Sequence, residues 1–140
     1  MMKTLLVLVL FWAALGLVQC QKNDVTPVID GTVKLRASQS ATVKTAGKSV
    51  LLRVAKLSDS RCPTNMQCIW QGQALAEVEL RGATGDAQLT SLCLGACQND
   101  SAAVVIEAVP YWLVLASVDP YPSAATASKP STATLRLTPR

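Results

Sequence analysis

The sequence predicts an all-β fold: a single antiparallel β-sandwich of immunoglobulin-like size, or a barrel, with seven to eight strands and two local disulfide loops. Three observations predict it. Apolar and polar residues alternate with period two through most of the chain after residue 31. Clusters of Gly, Ser, Asn, Asp and Pro recur about every eight to twelve residues, as turns do in such folds. Beyond the first twenty residues no stretch reads convincingly as helix.

Each strand has its own signature. Val33 and Leu35 alternate with Lys34 and Arg36, and Ser38 to Ser40 break the run. Ala41 to Thr45 reads as a short strand ended by Ala46-Gly47-Lys48. Ser49 to Leu57 follows, with Val50, Leu52 and Val54 on one face and Arg53 on the other. Ile69 to Arg81 is the clearest run. Trp70, Gly72, Ala74, Ala76, Val78 and Leu80 fall on one face, and Gln71, Gln73, Glu77, Glu79 and Arg81 on the other, with Leu75 the exception. That pattern predicts one wet face, and it points Trp70 inward as a structural residue packed over a disulfide. Propensity alone favours helix over Gln73 to Leu80, but the alternation opposes it.

Gly82 to Asp86 reads as a hairpin loop, and Ala87 to Leu94 as the next strand. Ala103 to Val109 is β-branched, and Pro110 separates it from Tyr111 to Val118. Both faces of this last run are apolar, which predicts a strand buried on both sides with Trp112 in the core. Asp119-Pro120-Tyr121-Pro122 ends it and leaves Tyr121 near the surface. A Ser/Ala/Pro loop follows, and Thr132 to Thr138 closes the domain.

The chain starts differently. Lys3 is a short basic region, and Leu5 to Val18 is an apolar core too short for a comfortable membrane span. Leu17-Val18-Gln19-Cys20 resembles a bacterial lipobox, and the polar residues after it resemble the tether of Bacteroidetes-type lipoproteins. That resemblance implies a signal peptide over residues 1–19, a lipidated Cys20 with a tether over residues 20–30, and a β-domain over residues 31–140. Gln19 departs from the Gly, Ala or Ser usual before the cysteine. Cleavage after Ala14-Leu15-Gly16, giving an ordinary secreted protein, is the alternative. Five cysteines in an exported chain leave one unpaired, and lipid on Cys20 removes the odd one. The implied location is the outer membrane, on its periplasmic or surface side, with the lipid anchor as the membrane partner.

Without the signal peptide the side-chain charge is +3, from 12 basic and 9 acidic residues after loss of Lys3. The basic residues are scattered singly, which excludes a nucleic-acid partner. There is no histidine, so the commonest general base and the commonest metal ligand are absent. No catalytic, metal or cofactor site is expected. Glu77 and Glu79 read as a polar sheet face, and Asp59 beside Arg61 as a local turn residue. A glycan hydrolase using Asp59 with Glu77 or Glu79 is the enzymatic alternative.

Cys62-x5-Cys68 and Cys93-x3-Cys97 form the main constellation. Two short-range disulfides are expected, each worth about 2 kcal/mol through loop closure. A cross-pairing such as Cys62 to Cys93 stays open. A four-cysteine zinc site is disfavoured by the spacing and by an oxidising compartment, and the lack of Cys-x-x-Cys disfavours a redox centre.

Asp59-Ser60-Arg61-Cys62-Pro63-Thr64-Asn65-Met66-Gln67-Cys68-Ile69-Trp70-Gln71-Gly72 resembles a motif of an uncharacterised family of small bacterial secreted proteins and lipoproteins. Tyr111 to Leu115 followed by Pro120-Tyr121-Pro122 is similar to its C-terminal half. Gln71 stands where Ala is common there, and the pair Cys93 and Cys97 is additional. The resemblance implies no activity. The expected role is therefore a non-catalytic, lipid-anchored envelope protein that acts as a binding or structural module, with an envelope protein or glycan as its partner. Thr64, Asn65, Met66 and Gln67 are its possible binding loop, and Trp70 and Gly72 its structural support. A protease-inhibitor-like presentation of that loop is the alternative.

Overall fold

The computed structural model describes residues 31–140. The expected signal peptide over residues 1–19, the expected lipidation at Cys20 and the expected tether over residues 20–30 all lie outside the described residues. The described chain forms eight strands: β1 (Thr32–Arg36), β2 (Ser40–Thr45), β3 (Lys48–Asp59), β4 (Gln73–Arg81), β5 (Ala87–Gly95), β6 (Ser101–Ile106), β7 (Val109–Asp119) and β8 (Thr132–Pro139). They make two four-stranded sheets, ordered β1-β8-β7-β6 and β2-β3-β4-β5, and every neighbouring pair is antiparallel. The architecture is a sandwich rather than a barrel.

The core is what period two demands. Val50, Leu52 and Val54 of β3 and Ala74, Ala76, Val78 and Leu80 of β4 face Leu113, Leu115, Leu135 and Leu137 of the other sheet. Among the described residues, every buried core side chain lies between Val33 and Leu137.

The reading of β7 as buried on both faces is corrected. Tyr111, Leu113 and Leu115 point inward, while Trp112 is 38% exposed. The register shifts between Leu115 and Ser117, so Ala116 is an extra residue and Val118 returns to the core. A bulge between Val54 and Lys56 does the same in β3. Each sheet of a two-layer sandwich has only one covered face, so Trp112 stays on the wet side.

The break between β6 and β7 is also not at Pro110. A two-residue turn at Glu107 and Ala108 joins the strands, with φ of 50° and 63°. Positive φ at both central positions suits the right-handed twist of a hairpin. Glu107 gives this turn a second function. Its Oε2 accepts from Lys48 Nζ at 2.9 Å, and its Oε1 accepts from Thr84 N at 3.2 Å. One carboxylate thus ties three turns at one end of the sandwich. The Lys48 bond and then the Thr84 amide hold the Glu107 carboxyl below its ordinary pKa. A depressed folded pKa stabilises the fold above the ordinary carboxylate range, and that contribution is lost as pH falls through the lower folded value. Glu107→Gln should therefore flatten the acid limb of a stability-versus-pH curve and leave its slope near pH 7 unchanged. An unaltered acid limb would contradict this role.

Tyr111 is wholly buried and its hydroxyl has no hydrogen-bond partner among the described residues. An unpaired buried hydroxyl opposes folding, so Tyr111→Phe should keep stability or raise it by about 1 kcal/mol in urea unfolding. A clear loss would mean that the hydroxyl is satisfied.

Candidate functional site

The strand directions divide the molecule into two ends. β1 enters at the end that carries the β2–β3, β4–β5 and β6–β7 turns. The opposite end gathers the chain between β3 and β4, the chain between β5 and β6, and the chain between β7 and β8. Both cysteine pairs lie at this second end. Cys62 is bonded to Cys68 and Cys93 to Cys97, so the pairing is local and the cross-pairing does not occur.

Backbone hydrogen bonds join the three segments. Ser60 N donates to Gln73 O at 2.9 Å and Cys62 N to Gln71 O at 2.8 Å, which continues the β3–β4 ladder into the loop. Ala96 N donates to Gly72 O at 3.1 Å, and Thr64 N to Pro122 O at 3.1 Å. Met66 N donates to Pro63 O at 3.1 Å and closes a turn at the loop tip. Close backbone approach explains the glycines. Gly72 has φ of 65°, and a Cβ there would overlap the Ser60 carbonyl oxygen. A Cβ on Gly95 would come within 2.8 Å of Gly72 O. Glycine at position 72 thus lets the two loop segments approach each other this closely.

Asp59 and Arg61 lock the loop to the sandwich. Asp59 Oδ1 accepts from Arg61 N at 3.1 Å and from Arg61 Nε at 2.9 Å, and Oδ2 accepts from Nη2 at 2.6 Å. The pair is nearly buried, with side-chain exposures of 10% for Arg61 and 6% for Asp59. Arg61 Nη2 also donates to Val118 O at 2.6 Å. Its guanidinium lies 4.3 Å from the Tyr121 ring centre. The Asp59 hydrogen bond raises the Arg61 pKa further above its ordinary value, although burial opposes it. Asp59 is thus the turn residue foreseen, with a charge partner that also reaches β7.

The three acids of the enzymatic alternative are not brought together. Asp59 pairs with Ala74, an inward position, whereas Glu77 and Glu79 point to the outer face. Glu77 and Glu79 lie about 10 Å and about 17 Å further along the strand than Ala74. Glu79 is also held by Arg53 at 3.6 Å and Arg81 at 2.7 Å. Among the described residues no three His, Cys, Asp or Glu side chains form a group able to hold a metal ion.

The expectation for Trp70 is overturned. It is 81% exposed and Ile69 is 96% exposed. β4 begins only at Gln73, and the left-handed turn at Gly72 separates the two residues from the alternation of the strand. Trp70 therefore does not plug the core. The foreseen binding residues Thr64, Asn65, Met66 and Gln67 are all exposed, Met66 at 62%. Tyr121 is on the surface as expected, at 46%. Sequence reasoning missed the Ile69–Trp70 shoulder. The usable signal was Gly72, an isolated glycine that interrupts an alternating run.

A cleft of about 360 Å³ lies beside this shoulder, lined by Arg61, Cys62, Gln71, Leu94, Gly95 and Tyr121. The end as a whole offers a twice-stapled platform with exposed apolar side chains. Two disulfides fit an exported protein in an oxidising compartment. Among the described residues no helix is long and apolar enough to cross a membrane. No protein-family model, curated protein or solved structure matches this chain.

Proposed function

We propose that this protein is a non-catalytic binding module of the bacterial cell envelope, anchored by lipid at Cys20, that recognises an envelope protein through its stapled end. The observation that carries the reading is the exposure of Ile69 and Trp70 on a loop fixed by a disulfide and by backbone bonds. Large apolar side chains held rigidly in water mark interaction sites, and tryptophan is the residue most enriched at binding hot spots. The staple supports the same reading, because a preorganised loop loses little entropy on binding. Ile69 and Met66 favour a protein partner. A glycan would use the flat rings of Trp70 and Tyr121 alone.

The topology suits an anchored module. The chain enters the sandwich at one end, and the stapled loop sits at the other. The inhibitor-like alternative gains nothing from the loop tip, because the Pro63–Met66 turn is not the extended segment that a protease cleft takes.

Two experiments test the proposal. Cys20→Ala should release the protein from the membrane fraction and abolish incorporation of a palmitate analogue. A photo-crosslinking side chain at position 69 in intact cells should give one discrete protein adduct that disappears with Trp70→Ala. The same probe at position 44, on the outer face of the second sheet, should give none. Equal adducts from both positions, or none from position 69, would remove the loop from the recognition surface.

A further inference from the structure

The outer face of the β1-β8-β7-β6 sheet separates charge from apolar surface. In the antiparallel register Arg36 lies opposite Thr132, Lys34 opposite Thr134, and Arg136 between Thr32 and Val114. Trp112 lies between Thr138 and Ala103. The β1–β8 half thus carries three cations, and the β7–β6 half carries Trp112, 38% exposed, with Val105, 62% exposed. None of Lys34, Arg36 and Arg136 has an acidic partner among the described residues, whereas Arg53 and Arg81 on the other sheet both engage Glu79. The acid nearest these cations in register is Asp119. It stands at the rim, beyond Thr132 from Arg36, and accepts a hydrogen bond from Ser117. The Arg140 guanidinium lies 5.2 Å from the Trp112 ring centre and adds a fourth cation beside the apolar half.

We infer that this face lies against an anionic phospholipid bilayer. Lysine and arginine near a bilayer are attracted by headgroup phosphates, and tryptophan prefers the boundary between headgroup and hydrocarbon. A soluble polyanion would satisfy the cations but would leave Trp112 and Val105 in water. A second copy of the same face would set the cations against each other. The tether permits the contact. β1 starts 12 residues after Cys20 (32 − 20), a stretch that spans at most about 40 Å, and β1 belongs to this sheet. The biological setting rests on the proposed lipid anchor, but the headgroup contact can be measured without it.

The chain from residue 21 onward retains every core side chain found among the described residues, Val33 to Leu137. With Trp70→Phe in that chain, Trp112 is its sole tryptophan. The test sediments this protein with vesicles of phosphatidylcholine alone or mixed with phosphatidylglycerol. Binding is expected to the mixed vesicles only, with a blue shift of Trp112 emission and release at raised salt. Lys34→Glu combined with Arg136→Glu should weaken partitioning by about tenfold or more, and both positions lie on the wet face, where the fold tolerates charge. Three results would overturn the inference: no binding to mixed vesicles, binding that the charge reversal leaves intact, or equal binding to heparin without a Trp112 shift. Palmitate labelling of Cys20 in the full chain reports the anchor separately, so failure of the anchor and failure of the headgroup contact give different results.

Discussion

Gly72→Ala is expected to destabilise the protein by about 3 kcal/mol, read as a lower urea midpoint at unchanged slope. Two terms add. A non-glycine residue at φ of 65° costs about 1 kcal/mol or somewhat more. The new Cβ also overlaps the Ser60 carbonyl. That carbonyl cannot retreat cheaply, because Ser60 N is bonded to Gln73 O and Ser60 Oγ donates to the same oxygen at 2.9 Å. The variant should disturb both stapled loops, since Gly72 O accepts from Ala96 N. Gly47→Ala is the control. It shares a positive φ of 73° but has open space around its missing Cβ, so it should cost only the conformational term. Equal losses at the two positions would refute the steric argument.

Asp59→Ala should cost about 3 kcal/mol, because it strands a nearly buried guanidinium without its carboxylate. Removing one partner of a buried pair is worse than removing both. Asp59→Ala combined with Arg61→Met should therefore recover part of the loss in the same urea measurement. The recovery cannot be complete, because Arg61 also bonds the Val118 carbonyl and stacks on Tyr121. A double variant as unstable as the single one would mean that Arg61 acts through packing and not through charge.

The fold was legible because one sheet face is wet and the other dry. Val33 and Leu35, Val50 to Val54, and Ala74 to Leu80 announce their strands and their inward faces by period two alone. The alternation misled wherever the backbone departs from it. Extending the β4 pattern back through Gly72 turned Trp70 inward, although the left-handed glycine ends the strand before that point. The bulge at Ala116 brings Val118 inward out of phase, and this made β7 look buried on both faces. The Glu107–Ala108 turn carries none of the usual turn residues, and its positive φ values appear only with the hairpin closed around it.

At the candidate site the local pairs were legible. The two disulfides and the Asp59–Arg61 contact all lie within six residues in sequence. The long-range stitching was not. Arg61 reaches Val118 and Tyr121, Thr64 reaches Pro122, and Ala96 reaches Gly72, and no local pattern encodes such contacts.

Trp70 stands in water on a stapled loop. Acrylamide quenching of a Trp112→Phe protein, taken from residue 21 onward so that Trp70 is its sole tryptophan, tests it directly. Red-lying emission and efficient quenching are expected while the Cys62–Cys68 disulfide is intact. Blue-lying emission shielded from acrylamide would place Trp70 in the core and contradict it.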